Sequence, residues 1–399
     1  MVPRWHRFSA SHAWLTAIVV VTATSVDAAR VDAAQSPTVE VAGSVRLPAS
    51  LGPGDPALTG LSGITWLGDD RYAAVLDNSD RLLLFRLALD PTGAPEAASD
   101  LRLVTLGEHH DYEDVAPCPP ALASRIATKR RERGDPVPAT VLLVCEEDTP
   151  AVRAIDADAG SLLGIVPIPP RFLQRRPNRG LESIAVEPDG RCIWTATEEA
   201  LPADGPASAE GRGTVVRIAR IPVPDTLDPQ PAAEFAYAVD PPHAFARLLT
   251  GEPLAGLVAI VPLGGGRLLA LERAAGPGLP PFESRLALID TSSGRDVSAR
   301  EGGLAHRPED HLAPIRFWKD TLGCNLEGLC LGPTLGNGPR VLVGVADNGG
   351  LGTPTQLVTL RFQDGPAPID ASALGLAAAL AGTALLALRL TSPSPCSTR

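Results

Sequence analysis

Aromatic side chains make up only 4% of the 399 residues, and methionine occurs once. Long helical periodicity is absent between the two ends, which excludes a helical bundle as the body of the protein. Basic residues are outnumbered, 35 Lys and Arg against 46 Asp and Glu, giving a formal charge of −11. With no basic stripe to neutralise phosphates, nucleic acid is excluded as a partner. The one dense basic run, Lys129-Arg130-Arg131 with Arg133, lies in a Pro-flanked segment and reads as a solvated loop. None of the six cysteines falls in a C-x-x-C pair, the spacing that structural zinc sites favour. H-E-x-x-H, P-loop and dinucleotide fingerprints are missing. Gly60-Leu61-Ser62-Gly63-Ile64 lacks the second glycine of a nucleophile elbow.

The ends read as targeting segments. Arg4 and Arg7 precede the apolar run Ala13 to Val21, and small residues follow around Val26 to Ala29. That pattern predicts a signal peptide over residues 1–34, with an uncleaved anchor as the alternative. At the other end Ala371 to Leu388 is an uncharged stretch of 18 residues followed by Arg389, close to the minimum for a membrane span. Residues 371–390 are expected to form a transmembrane or sorting helix, joined to the body by a linker at 365–370. Export follows, to the periplasm or the cell exterior, with the membrane as a partner through the C-terminal helix. An exported chain permits disulfides. Cys118 with Cys145, and Cys324 with Cys330, are the expected pairings.

The body, residues 35–364, holds most of the 38 glycines and 40 prolines, a composition suited to many short strands joined by turns. It also repeats. Leu61-Ser62-Gly63-Ile64, Tyr112-Glu113-Asp114-Val115, Leu181-Glu182-Ser183-Ile184, Leu257-Val258-Ala259-Ile260 and Leu326-Glu327-Gly328-Leu329 align. Their second residues fall at 62, 113, 182, 258 and 327, at intervals of 51, 69, 76 and 69 residues. Such spacings fit a four-stranded unit with variable loops. The first unit predicts strands at Ile64–Leu67, Tyr72–Leu76, Leu82–Leu89 and Arg102–Leu106, and the fifth lacks a fourth strand. A spare strand at Val39–Leu47 matches that gap, as in propellers that close by pairing both chain ends. The fold class is therefore all-β, a β-propeller of five blades, or of six if residues 221–246 and 304–321 hide further strands. A β-sandwich leaves the repeat unexplained.

In such a blade the start of the first strand and the end of the second meet on one face of the disc. The starts carry Ser62, Glu113, Glu182, Val258 and Glu327, and the ends Asp77, Glu147, Glu198, Glu272 and Asp347; eight of these ten are acidic. Carboxylates crowded round one axis must be protonated, paired or bridged by a cation. Oxygen donors with several charges suit Ca²⁺ or Mg²⁺. Asn78 and Asn348 offer further oxygens, and His109-His110-Asp111 a ligand or general base. Asp156-Ala157-Asp158-Ala159-Gly160 reads as a hairpin turn. The bland alternative for the acidic set is turn formers and rim charges.

The strand-start motifs resemble a known family. Leu61-Ser62-Gly63-Ile64, the stretch Gly180 to Gly190 ending in Thr197-Glu198-Glu199, and Asn325-Leu326-Glu327-Gly328-Leu329 look like the phytase-like domain family, exported bacterial proteins described by an esterase-like activity of phytase. The resemblance runs from about Val39 to Phe362. It implies a propeller that hydrolyses a small-molecule phosphoester (phytate-like) or carboxylester, with Ca²⁺ as the cofactor. On that reading Glu182 and Glu327 are the catalytic residues, and Glu113, Glu147, Glu198, Glu272, Asp77 and Asp347 the metal ligands. Val258 breaks the acidic series. The competing reading is a non-catalytic, surface-anchored propeller that binds a ligand or protein partner.

Overall fold

Strands of this chain pair with their neighbours in sequence, with one exception that closes the structure. The computed structural model describes residues 37–365 apart from 224–230, 244–252, 277, 337 and 348–354. The first described strand, β1 (Thr38–Arg46), stands apart from those that follow. Blade one is β2 (Leu61–Trp66), β3 (Arg71–Leu76), β4 (Ser79–Leu89) and β5 (Pro95–His110). Blade two is β6 (Tyr112–Pro117), β7 (Val141–Glu146), β8 (Ala151–Asp156) and β9 (Leu162–Val166). Blade three is β10 (Leu181–Val186), β11 (Cys192–Thr197), β12 (Thr214–Pro222) and β13 (Ala233–Val239). Blade four is β14 (Leu254–Gly264), β15 (Arg267–Ala275), β16 (Phe282–Asp290) and β17 (Ile315–Asp320). Blade five is β18 (Asn325–Thr334), β19 (Arg340–Asp347) and β20 (Gln356–Gln363), completed on its outer edge by β1.

The expected closing strand is thus β1, and the ring is a five-bladed propeller. The innermost strands touch in the cycle β2, β6, β10, β14, β18 and back to β2. Among the described residues, the segments that left six blades open contain β13 and β17, the outer strands of blades three and four.

Alternation within the strands explains why they are apolar almost throughout. On β3, Tyr72 and Ala74 face blade five while Ala73 and Val75 face blade two. On β19, Val341 and Val343 pack toward blade one while Leu342 packs toward blade four. Each junction between blades is one hydrophobic layer, so both faces of every sheet are buried. Burying a Leu or Val there contributes about 1.5–3 kcal/mol. Near the axis the inner strands approach closely at glycines. A Cβ on Gly63 would collide with Asp114 of blade two, and one on Gly328 with the Ser62 carbonyl of blade one.

Asp156 opens the hairpin turn between β8 and β9, its Oδ1 accepting the Asp158 N–H at 3.0 Å. Two expectations fail. The Lys129-Arg130-Arg131 run is not a loop but the last turns of a helix, α1 (Pro120–Arg133), with Pro120 at its start and Gly134 in the left-handed conformation at its end. Leu122 and Ile126 anchor α1 to the layer between blades two and three, and basic residues in its last turn complement the helix dipole. The disulfides also fail: Cys118, Cys145, Cys324 and Cys330 are free. Cys324 and Cys330 bracket the extended start of β18, roughly 15 Å or more apart at ~3.3 Å per residue, where a disulfide needs Cα atoms within about 7 Å. Cys145 lies opposite Asp114, four positions along the chain from Cys118.

Among the described residues no helix is long and apolar enough to cross a membrane. The expected signal peptide and C-terminal apolar helix lie outside the described residues.

Candidate functional site

Pairing between the first and second strands slips near the start in all five blades. In blade two Tyr112 faces Glu146 and Asp114 faces Cys145, which leaves Glu113 unpaired in the ladder. In blade three the extra residue is Glu182, in blade five Glu327 and in blade four Val258. In blade one Leu61 faces Leu76 and Ile64 faces Ala74, so Ser62 and Gly63 share one opposite residue. A bulge turns its extra side chain out of the normal alternation, and here four bulges deliver Ser62, Glu113, Glu182 and Glu327 to the axis.

The same register fixes the second-strand contribution. The residue after the partner of the first strand's opening leucine or tyrosine is Asp77, Glu147, Glu198 and Asp347 in blades one, two, three and five. In blade four Leu257 faces Glu272, so the equivalent residue is Arg273. The expectation for Glu272 as a metal ligand is corrected by this one-residue difference, which puts a side chain on the opposite face. Glu272 is buried away from the cavity, accepting from the Tyr237 hydroxyl and, at 3.3 Å, from Arg316 Nη2.

These residues line a cavity of about 150 Å³ on the axis. Its walls carry Asp77, Asp111, Glu113, Glu147, Glu182, Glu198, Glu327 and Asp347, with Arg179 and Arg273 as cations and Ser62, Asn78 and Asn178 as neutral polar groups. Seven of the eight expected site residues therefore come together. Asp111 joins them from the run His109-His110-Asp111, whereas His110 turns onto Glu146, Nδ1 to Oε1 2.7 Å, beside Arg153. Asn78 donates to Asp77 Oδ1 at 2.8 Å. Asn348 and the His109 side chain lie outside the described residues. The two arginines went unrecognised in the sequence: Arg273 is hidden by the bulge register, and Arg179 sits in a loop without a repeat equivalent.

The cavity divides electrostatically. On one side Arg273 Nη2 donates to Glu198 Oε1 at 2.6 Å and Nη1 to the Glu327 carboxylate. Arg179 Nη1 donates to Glu198 Oε2 at 3.0 Å, and Asn325 also donates to Glu327. Burial still lifts Glu327 above the usual carboxylate range, with the Arg273 charge opposing it.

On the other side, among the described residues, no arginine or lysine pairs with Asp77, Asp111 or Glu113. One oxygen each of Asp77, Asp111 and Glu113 lie within 4.8 Å of one another. Burial, then a hydrogen bond with Asp111, pushes Asp77 up to about 8. Burial and the Asp77 charge lift Glu113 well above its ordinary value, although the Ser62 hydroxyl donates to it at 2.7 Å. Asp111 is 7% exposed, and its Oδ1 has no hydrogen-bond partner among the described residues. Farther round, burial lifts Glu147 to about 7 against the N–H donated by Gly180, and lifts Glu182 well above the ordinary range. Three acidic oxygen donors with an unpartnered buried acceptor suit a hard divalent cation, whose oxygen ligands sit about 2.3–2.6 Å from calcium. The donor set thus fits the expected ion.

Comparisons with known proteins bear on this arrangement. Residues 56–350 match the family model Phytase-like, described as "Esterase-like activity of phytase". No curated protein matches the chain. Among solved structures it is similar to a chain of the Chaetomium thermophilum Polycomb Repressive Complex 2 bound to GSK126, at 10% identity over 78% of this chain and 71% of that one, TM-score 0.35. A humanized mutant of the same complex bound to GSK343 gives 11% identity, 77% and 70% coverage and TM-score 0.36. Likeness of that degree transfers neither site nor activity. The family match spans all five bulged strand starts, and with it the chain belongs to the Phytase-like family.

Proposed function

We propose that this phytase-like, hydrolase-type propeller cleaves a phosphoester or carboxylester at its axial acidic face, with a Ca²⁺-class cation held by Asp77, Asp111 and Glu113. The observation that carries the reading is the meeting of those three carboxylates with Asp111 Oδ1 buried and, among the described residues, unpartnered. When bound, the cation would supply positive charge that draws in an anionic ester and polarises its oxygen.

The remaining residues divide the work. Glu182 is buried, and burial raises its affinity for a proton well above that of an ordinary carboxylate, which suits it to donate a proton to the leaving oxygen. Glu147, near 7, can accept or release a proton at neutral pH. Glu327, expected as a catalytic partner of Glu182, is clamped by Arg273 and Asn325 and serves to position Arg273. The reading includes export and a C-terminal membrane anchor, which rest on the sequence pattern of the two ends.

The deciding experiment assays the full-length chain on phytate, an aryl phosphate and a short-chain aryl ester, each with Ca²⁺ and with chelator. Turnover abolished by chelator and by Asp111→Asn supports the proposal. Calcium binding with no turnover of any ester transfers support to the ligand-binding module.

A further inference from the structure

The loop Arg175–Gly180, which leads into β10, is fixed more firmly than an exposed loop requires. Arg175 donates from Nε to the Glu147 carbonyl and from Nη2 to the Asp148 carbonyl, both at 2.6 Å. Arg176 donates from Nε to the Ala200 carbonyl at 3.0 Å and from Nη2 to the Gly205 carbonyl at 2.7 Å. Two guanidinium groups thus tie the loop to blade two on one side and to the segment after β11 on the other. Between them the chain reverses, with the Arg179 N–H on the Arg176 carbonyl at 3.2 Å and Asn178 at φ 49°. Few residues other than glycine adopt that conformation, and here it sets Asn178 and Arg179 in the wall of the acidic cavity.

Arg179 uses one nitrogen for the protein. Its Nη1 donates to the Asn178 carbonyl at 2.6 Å and to Glu198 Oε2 at 3.0 Å. Nε and Nη2 have no hydrogen-bond partner among the described residues, and the side chain is 30% exposed. Those two donors share the edge of the guanidinium that takes two oxygens of a carboxylate or phosphate side by side. Arg273 has no such edge to offer, since both its terminal nitrogens are committed to Glu198 and Glu327. In a cavity with eight carboxylates, the outer edge of Arg179 is therefore an open cationic contact, beside the exposed Asn178 side chain.

We infer that Arg179 and Asn178 form an anion clamp that receives a phosphate or carboxylate group of the ligand at the mouth of the axial cavity. The clamp rests on the reading of the acidic face as the substrate site, and it assigns the ester an anionic group. Arg175 and Arg176 are positioning residues, since they act only through the loop they hold. The cation at Asp77, Asp111 and Glu113 and the clamp would then address one anionic ligand from different sides of one cavity.

The test uses the full-length chain with Ca²⁺, titrated calorimetrically with inorganic phosphate and, separately, with acetate, to tell which anion the clamp takes. Arg179→Ala is expected to weaken binding of the preferred anion roughly 10- to 100-fold, the scale of a lost charged hydrogen-bond pair. Arg179→Lys recovers part of the loss, because charge returns without the two-donor edge. Asn178→Ala, on an exposed turn, costs only a few-fold. Calcium affinity stays unchanged in all three, while the melting temperature falls modestly for Arg179→Ala, which gives up the Glu198 contact, and for Asn178→Ala, which must hold φ 49°. Anion affinity equal in the wild type and Arg179→Ala, or no anion binding by the wild type with calcium bound, overturns the clamp. Arg179-dependent anion binding without turnover of any ester upholds the clamp and defeats the hydrolase reading. Equal turnover of neutral and anionic esters by the wild type and Arg179→Ala does the reverse.

Discussion

Arg273 donates to Glu198 at 2.6 Å, joining blade four to blade three across the axis at the one ring position where a cation replaces an acid. The same guanidinium holds Glu327 of blade five, so a single side chain neutralises two buried carboxylates from two neighbouring blades. Removing it leaves Glu327 without a cation and Glu198 with Arg179 alone. Arg273→Met is expected to destabilise the propeller by about 3–5 kcal/mol, as breaking buried ion pairs from one side does. Urea unfolding measures this. Adding Glu198→Gln and Glu327→Gln should recover much of the loss, and a loss unchanged in the triple variant would mean that Arg273 acts through packing instead.

On the opposite side of the cavity the sign reverses. Asp77, Asp111 and Glu113 repel one another, so Asp111→Asn is expected to leave the metal-free protein as stable as the wild type or more so. The same substitution should remove most of the rise in melting temperature that calcium produces, since a ligand that binds only the native state stabilises it by mass action. Melting curves with calcium and with chelator give both quantities. A variant that melts lower without calcium yet keeps the full calcium response contradicts the assignment.

Much of this was legible in the sequence because the short strand-start motifs are the bulges themselves. The repeat located Glu113, Glu182 and Glu327 in the chain, and the spare N-terminal strand supplied the closure. What escaped was register. Glu272 and Arg273 are adjacent charged residues, and only the pairing of Leu257 with Glu272 reveals which one faces the axis. Arg179 escaped because its position depends on Arg175 and Arg176 bonding to distant carbonyls, contacts that leave no periodic trace. The basic run at Lys129 misled because its charged face hid two core contacts, Leu122 and Ile126.

Stability of the metal-free protein should fall as pH rises. Asp77 near 8 and Glu147 near 7 lie above their ordinary values of 3.8 and 4.5. Between those limits the native state holds protons that the unfolded chain has lost, so unfolding becomes easier with increasing pH. Their contribution is full below about pH 4 and disappears as pH rises through about 8. In chelator the melting temperature is expected to drop between about pH 5.5 and about pH 8.5. Calcium competes with those protons, so its stabilisation should grow over the same range. A calcium effect that shrinks with rising pH would falsify the coupling.

Asp114 supplies the last test, of the axis itself. Its carboxylate accepts the Ile184 N–H at 3.0 Å from blade three and its own neighbour Val115 N–H at 2.8 Å, and it also takes the Ile64 N–H of blade one. One side chain of blade two therefore satisfies backbone donors in three adjacent inner strands. Asp114→Ala would leave buried N–H groups without acceptors, each costing about 1–3 kcal/mol. Asp114→Asn keeps one acceptor oxygen and should fall between the wild type and the alanine variant. Native-state hydrogen exchange separates this from general loosening. The Ile64 and Ile184 amides are expected to lose protection far more than amides of β16, a strand of blade four that Asp114 does not touch. Uniform loss across all five blades would instead mean that the ring unfolds as one unit and that Asp114 has no local role.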